Sequence, residues 1–233
     1  VSESLVDIMQ WLDGAILGGV LVDSGAVYRG STLVNAAAPT KTFQGFYLLD
    51  EGELNFSDEW PNLSEVSAFV LEDDNNIDIE VQRATSLDVV ATSVNGSIRV
   101  NEEGENWLSV QGVAEGATTD GLNYLQNAAV GESLKAAFAN WQAQGDINAN
   151  IAVEVPLNDE QLQTAVRLDM NLEDNSLFIP DYAIQLDELY GSVVFDTRTG
   201  VEDSELSGRL FGQIANIQLS SESVQGDLES ILV

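Results

Sequence analysis

The sequence predicts a mainly β protein with a few short helices, and three observations lead to this fold class. Apolar and polar residues alternate with a period of two along most of the chain, as in residues 77–82 and 147–155. Only two segments show helical spacing, one at the N-terminus and one at 118–141. Strands with one dry and one wet face are typical of antiparallel sheets.

The composition excludes several classes of function. The chain has 39 acidic and 8 basic residues and a net charge of −31, which repels phosphate backbones, so we exclude nucleic acid as a partner. It has neither cysteine nor histidine, the commonest metal ligands and acid–base groups. We therefore expect no enzyme, no cofactor and no metal site. No run of about 18 apolar residues occurs, so we expect no transmembrane span within this segment.

The first part of the chain begins with a predicted helix over residues 3–12, whose apolar stripe includes Leu5, Ile8 and Leu12. Short strands are predicted at 20–23 and 26–29, separated by a turn at Ser24-Gly25. A further turn is predicted at residues 50–52. Across that turn, four apolar residues share one parity and are expected on one face of the sheet: Phe46, Leu48, Leu54 and Phe56.

The middle of the chain continues the strand series as far as residue 113. Asn95-Gly96 lies between alternating runs and predicts a hairpin turn. The segment 118–141 then predicts helix, with a break at Gly131.

The second half returns to alternating strands. Parity places five apolar residues on one face, as counterparts of the four above: Ile151, Val153, Val166, Leu168 and Met170. The tail from residue 222 is expected to be a short helix or frayed.

Two segments share the same order of features. Residues 52–71 contain a strand, an aromatic turn at Trp60-Pro61, an apolar pair and a second strand, and residues 176–195 repeat this order about 122 residues later with Tyr182 in the turn. We therefore predict two β-groove repeats that form one continuous unit. The first, 1–115, includes the N-terminal helix, and the second, 116–233, includes the helical segment 118–141.

Two architectures satisfy this pattern. Two helical segments are too few to cover the dry face of about a dozen strands. Either two sheets pack face to face as a closed β-sandwich, or one curved antiparallel sheet leaves an open apolar groove. The residues by themselves favour the sandwich as the commoner solution.

Several stretches resemble one known family. These are WLDGAILGG at 11–19, the F-x-G-x-Y-x-L run at 43–49, GELNFSDEWPNLSEV at 52–66, GDINANIAVEVPL at 145–157 and the segment 186–212. They are similar to the AsmA-like family of Gram-negative envelope proteins, within it the YhdP-type group. The resemblance covers most of the chain and favours the open groove over the sandwich.

The resemblance implies a function as well as a fold. Members of this family are anchored in the inner membrane, and their periplasmic β-groove is thought to carry phospholipid between inner and outer membranes. This chain would be an internal periplasmic segment of such a bridge, with phospholipid or another acyl-chain lipid and neighbouring segments of the same longer chain as partners. The nine apolar residues named above are then the candidates for the groove lining. The other hypothesis is a closed β-sandwich that binds glycan or protein.

Overall fold

The computed structural model describes residues 11–30, 42–58, 60–128, 135–136, 138–157, 162–202, 204–224 and 227–232. Residues 11–15 are helical, α1 spans Thr118–Asn127, and Pro180–Tyr182 forms a turn of 3-10 helix. The fourteen strands found in these ranges are β1 Ile16–Arg29, β2 Thr42–Leu54, β3 Leu63–Asp73, β4 Asn76–Ser86, β5 Val89–Val100, β6 Asn106–Ala117, β7 Gln142–Gln144, β8 Asp146–Pro156, β9 Ala165–Ile179, β10 Ile184–Asp196, β11 Gly200–Val201, β12 Ser204–Leu210, β13 Gln213–Val224 and β14 Asp227–Leu232.

All fourteen strands belong to one antiparallel sheet in which neighbours in sequence are mostly neighbours in space. The order runs from β1 to β14, with β7 paired to β9 and β11 paired to β10. β1 and β14 end the order and do not pair with each other, so the sheet is open and curved. The predicted mainly β fold with an open groove is confirmed, and the closed β-sandwich is not the architecture of the described strands.

Helix α1 packs on one face of this sheet, which we call the groove face; the opposite face is the outer face. α1 interrupts the strand series between β6 and β7. Its first residue is tied to the sheet, because the backbone N–H of Thr118 donates to the carbonyl of Gly145 at 2.9 Å. The Thr119 hydroxyl donates to the carbonyl of Ala143 at 2.5 Å. Leu125 is buried and anchors the helix to the sheet.

The core lies on the groove face in four apolar clusters rather than between two sheets. One cluster surrounds α1 and contains Trp60, Leu125 and Phe195. A second includes Ile98 and Leu108, and the partly buried Trp11 and Leu12 pack against it. The other two lie towards opposite ends of the sheet: Leu186, Leu189, Leu206 and Ile217 form one, and Val66, Ala68 and Ala84 form the other.

The helix predictions have mixed outcomes because part of each falls outside the described residues. Residues 11–15 are helical, so helix extends past the predicted end at residue 12, and residues 1–10 lie outside the described residues. In the segment 118–141, α1 ends at Asn127 and residues 135, 136 and 138 are helical. Gly131 lies outside the described residues.

Two predicted turns are wrong, because both dipeptides lie inside continuous strands rather than at a reversal of the chain. Ser24 and Gly25 lie inside the continuous strand β1, and a Cβ on Gly25 would be 2.6 Å from the ring of Phe46. Gly96 lies inside β5 and pairs with Ile79 on one side and Val110 on the other. A glycine within a strand often marks a close approach of a neighbouring group, as at Gly25.

The C-terminal tail is also a correction, because it contains strand rather than helix. β13 continues to Val224, and β14 pairs with it from Asp227 to Leu232. The hydrogen bonds of a neighbouring strand satisfy the backbone of a segment whose own helical pattern is weak.

A β-bulge inside β2 replaces the turn predicted at residues 50–52. Glu51 has a φ of 51°, and the pairing with β3 shifts by one residue between Leu49 and Gly52. One extra residue in a strand reverses which face the following side chains occupy. As a result, Leu54 packs with the groove-face cluster around Val66.

The two similar segments form hairpins with the same register. Residue numbers in the second hairpin exceed those in the first by 123 (54 to 177, 66 to 189). Positive φ values at Glu51 and Glu65 recur at Asp174 and Glu188. The equivalent pairs are Leu54 with Leu63 and Gly52 with Val66 in β2–β3, and Leu177 with Leu186 and Asn175 with Leu189 in β9–β10. The division of the chain at residues 115 and 116 stays a prediction.

Asn175 occupies the position that Gly52 holds in the first hairpin, and its buried amide joins three chain segments. Its Nδ2 donates to Thr118 Oγ1 at 2.5 Å and to the carbonyl of Asp146 at 2.9 Å, and its Oδ1 accepts from the backbone N–H of Glu173 at 2.8 Å. It is 1% exposed, so water does not replace these bonds.

We expect Asn175→Ala to lower the free energy of unfolding by about 2–3 kcal/mol, since it leaves several buried groups without partners. Urea denaturation measures this change. Asn171→Ala is the matched control, because Asn171 is exposed on the same strand. Equal losses for the two variants would contradict the structural role of the buried amide.

Candidate functional site

The main candidate site is an apolar cavity of about 250 Å³ on the groove face, partly covered by α1. Strands from β3 to β13 contribute to its wall, together with α1, residues Phe56 and Trp60 before β3, and residues Phe138 and Trp141. No charged side chain lines it among the described residues. In a chain with a net charge of −31, this face is therefore distinct from the rest of the surface.

Six of the nine predicted groove residues line this cavity. Five of them form a contiguous patch on two neighbouring strands, where Ile151 pairs with Leu168, and Val153 with Val166. Met170 follows Leu168 on the same face of β9 and pairs with Ala149. Phe56, directly after β2, lines the cavity and packs against Trp60 with ring centroids 6.5 Å apart.

The other three predicted residues lie away from the cavity. Leu54 is on the groove face in a neighbouring cluster. Phe46 and Leu48 pair with Leu71 and Phe69, which alternate with the groove-face residues of β3, so they lie on the outer face. The rings of Phe46 and Phe69 stack there at 6.4 Å. That any of the nine contacts lipid stays a prediction.

Sequence reasoning missed several residues of the cavity wall. Leu122, Tyr124 and Leu125 enter it from α1, and Val193 and Phe195 enter it from β10. The i, i+3 spacing of Leu122 and Leu125 did mark an apolar helix face. No local signal shows that this helix packs over β5 to β8, because that contact depends on where the chain crosses the sheet.

A polar corner made by Trp60, Tyr124 and Ser86 interrupts the apolar wall. The rings of Trp60 and Tyr124 have centroids 6.2 Å apart. Burial raises the pKa of Tyr124 to about 12, and the hydrogen bond between its phenol and the Ser86 hydroxyl acts in the opposite direction. The Ser86 hydroxyl, at the end of β4, donates to the carbonyl of Asn62 at 3.1 Å. This bond links β4 to the segment between β2 and β3. Trp60 Nε1 has no hydrogen-bond partner among the described residues.

The ionic groups nearest in sequence to this wall point to the outer face. Arg167, between two groove residues on β9, donates Nη1 to Glu202 Oε1 at 2.7 Å and Nη2 to Oε2 at 3.1 Å. This pairing holds the pKa of Glu202 below its usual value. Hydrogen bonds from Arg198 likewise lower the pKa of Asp196. Alternation along β9 thus separates charge from the apolar wall.

Within the described ranges, no group of three or more acidic, histidine or cysteine residues is arranged to hold a metal ion. None of the helices in those ranges has the length and apolarity needed to cross a bilayer.

An open antiparallel sheet whose apolar cavity wall carries no charged side chain among the described residues defines the class of β-groove proteins. Within that class the chain belongs to the YhdP family, since a family profile described as "YhdP protein" matches residues 5–231. The chain is similar to the "Intermembrane phospholipid transporter YhdP" of Escherichia coli (strain K12), with 26% identity over 226 residues. The match covers 93% of this chain and 17% of that relative. No solved structure matches the chain.

Proposed function

We propose that this chain is a non-enzymatic section of a periplasmic bridge that carries phospholipid between inner and outer membranes. The observation that carries the proposal is the uncharged apolar wall on an open sheet. A relative in the same family is described as an intermembrane phospholipid transporter, which supports phospholipid as the cargo.

The chemistry of the wall fits an acyl chain. Each methylene that leaves water for an apolar surface contributes about 0.8 kcal/mol, so a chain of ordinary length gains binding energy without any polar contact. Because such contacts are non-directional, a chain can slide along the wall without breaking specific bonds. We propose the patch on β8 and β9, with Phe56, as the part of the wall that contacts the chain.

The bridge role also requires neighbours at both ends of the sheet. β1 and β14 each pair on one side only among the described strands. β1 carries exposed apolar side chains, including Leu21 at 56% and Val27 at 66%. An exposed strand edge accepts a further strand through its free backbone groups. We propose that neighbouring segments of the longer protein, anchored in a Gram-negative inner membrane, continue the groove there.

We expect the purified 233-residue chain to take up phospholipid from vesicles in a saturable manner. The protein is incubated with phosphatidylethanolamine vesicles and re-isolated by gel filtration, and bound lipid is counted by mass spectrometry. The dye ANS should bind the lipid-free protein on its apolar face and be displaced by the lipid. Absence of both lipid and dye binding would contradict the proposal.

A further inference from the structure

Three aspartates lie beside the cavity along one edge of the sheet. Asp88, Asp120 and Asp146 each directly precede a residue that lines the cavity. They belong to the turn between β4 and β5, the first turn of α1 and the start of β8. Ala117, just before α1, pairs with Asp146. The carbonyl of Asp88 would lie 3.7 Å from a Cβ on Gly116, so the three elements are neighbours along this edge.

The negative charge at this edge is not neutralised by cations. None of the three aspartates has an ion-pair partner among the described residues. No lysine or arginine lines the cavity in the described part of the chain. Five arginines are already paired with other acidic side chains: Arg83, Arg99, Arg167, Arg198 and Arg209. An anionic ligand group at this edge therefore meets uncompensated negative charge.

These charges act over the distance that separates them from a lipid headgroup beside the cavity. Consecutive Cα atoms are about 3.8 Å apart, so each aspartate lies within a Debye length of the cavity wall, which is about 8 Å at physiological salt. When acyl chains occupy the apolar wall, the phosphate stays in water next to it, because burying an unpaired charge is costly. The net charge of −31 adds to the repulsion that this phosphate experiences.

We propose that Asp88, Asp120 and Asp146 exclude phospholipids with a net negative headgroup, so that this section carries lipids whose headgroup is zwitterionic. This inference rests on the proposed function and deepens it by stating the headgroup class of the cargo. Phosphatidylethanolamine and phosphatidylglycerol carry the same phosphate, but only phosphatidylethanolamine balances it with an ammonium group. The aspartates attract that ammonium group and repel the phosphate.

The test measures both lipids within one sample. Vesicles contain equal amounts of palmitoyl-oleoyl phosphatidylethanolamine and palmitoyl-oleoyl phosphatidylglycerol, so both lipids share the same encounters with the protein. Mass spectrometry gives the ratio of the two lipids bound to the re-isolated protein. Three unit charges at about 8 Å correspond to roughly a tenfold preference in about 10 mM salt, so we expect about that excess of phosphatidylethanolamine. In about 1 M salt the Debye length falls to about 3 Å, and the ratio should fall to about one.

The double variant Asp88→Lys with Asp146→Lys tests where the responsible charges lie, since both aspartates are exposed. It should abolish the preference at low salt. Glu102→Lys with Glu103→Lys is the matched control, because it makes the same change in net charge at two exposed residues in the turn between β5 and β6. That turn lies at the end of the strands remote from the lining residue Ala91, so the control should keep most of the preference.

Three results would overturn the inference while the proposed function stands. These are equal capture of the two lipids by the unmodified chain at low salt, a preference that persists in about 1 M salt, and equal effects of the two double variants on the ratio. The salt comparison uses the unmodified chain, so it decides the question even if a variant does not fold. Capture of neither lipid would instead count against the proposed function.

Discussion

Leu168→Asp should reduce phospholipid capture by more than tenfold while leaving the chain folded. Leu168 is half-buried in the cavity wall, at the centre of the patch on β8 and β9. A carboxylate there must lose its water when an acyl chain covers it, and the free-energy penalty exceeds the 1.4 kcal/mol that a tenfold loss of affinity requires. Without lipid, the open groove leaves the charge within reach of water, so the loss of stability should stay at about 1–3 kcal/mol.

Leu48→Asp is the matched control for this experiment. Leu48 is also half-buried, but it lies on the outer face opposite Phe69. We expect this variant to capture phospholipid normally from the same vesicles, with thermal melting used to confirm folding. If Leu168→Asp does not fold, Met170→Gln introduces a neutral polar group into the same wall. Undiminished capture by a folded cavity variant would show that this wall does not hold the lipid.

Phe195→Ala should produce the largest loss of stability, about 3–5 kcal/mol, because it removes a large side chain from the core. Phe195 is 2% exposed and packs in the cluster beneath α1, where it pairs across the sheet with Leu168. The surrounding strands belong to one sheet, so they have little freedom to collapse into the space that is left. Guanidinium denaturation measures the loss.

Phe211→Ala serves as the comparison, since Phe211 is 69% exposed at the turn between β12 and β13. Its removal should change the free energy of unfolding by less than about 0.5 kcal/mol. Similar losses in the two variants would mean that the cluster beneath α1 is not a core. The prediction would then fail regardless of what the protein binds.

Strand alternation predicted correctly which side of the sheet a residue occupies where the strands are regular. Along β8 and β9 the register has no shift from Ile147 to Glu154. Alternate residues of each strand therefore lie on the same side of the sheet throughout this region. Along β2 the bulge at Glu51 reverses parity, and Phe46 and Leu48 lie opposite to the side of Leu54. The pattern of apolar residues does not reveal this bulge, because apolar and polar residues alternate normally in the part of β2 before Glu51 and in the part after it.

The repeated turn illustrates a second limit of sequence reasoning. Trp60 and Tyr182 occupy similar turns, yet Trp60 is 5% exposed and Tyr182 is 76% exposed. The difference arises because α1 brings Tyr124 against the first turn. A contact between residues about 60 positions apart is invisible in a local comparison of the two segments.

The sequence by itself determined the β class, the regular strands of the second half and the family resemblance, because alternation and composition act locally along the chain. The tertiary structure decided that the sheet stays open, which side of β2 faces the groove, and that α1 partly covers the apolar cavity. These features depend on register shifts and on where α1 crosses the sheet, both of which are set by contacts between distant segments.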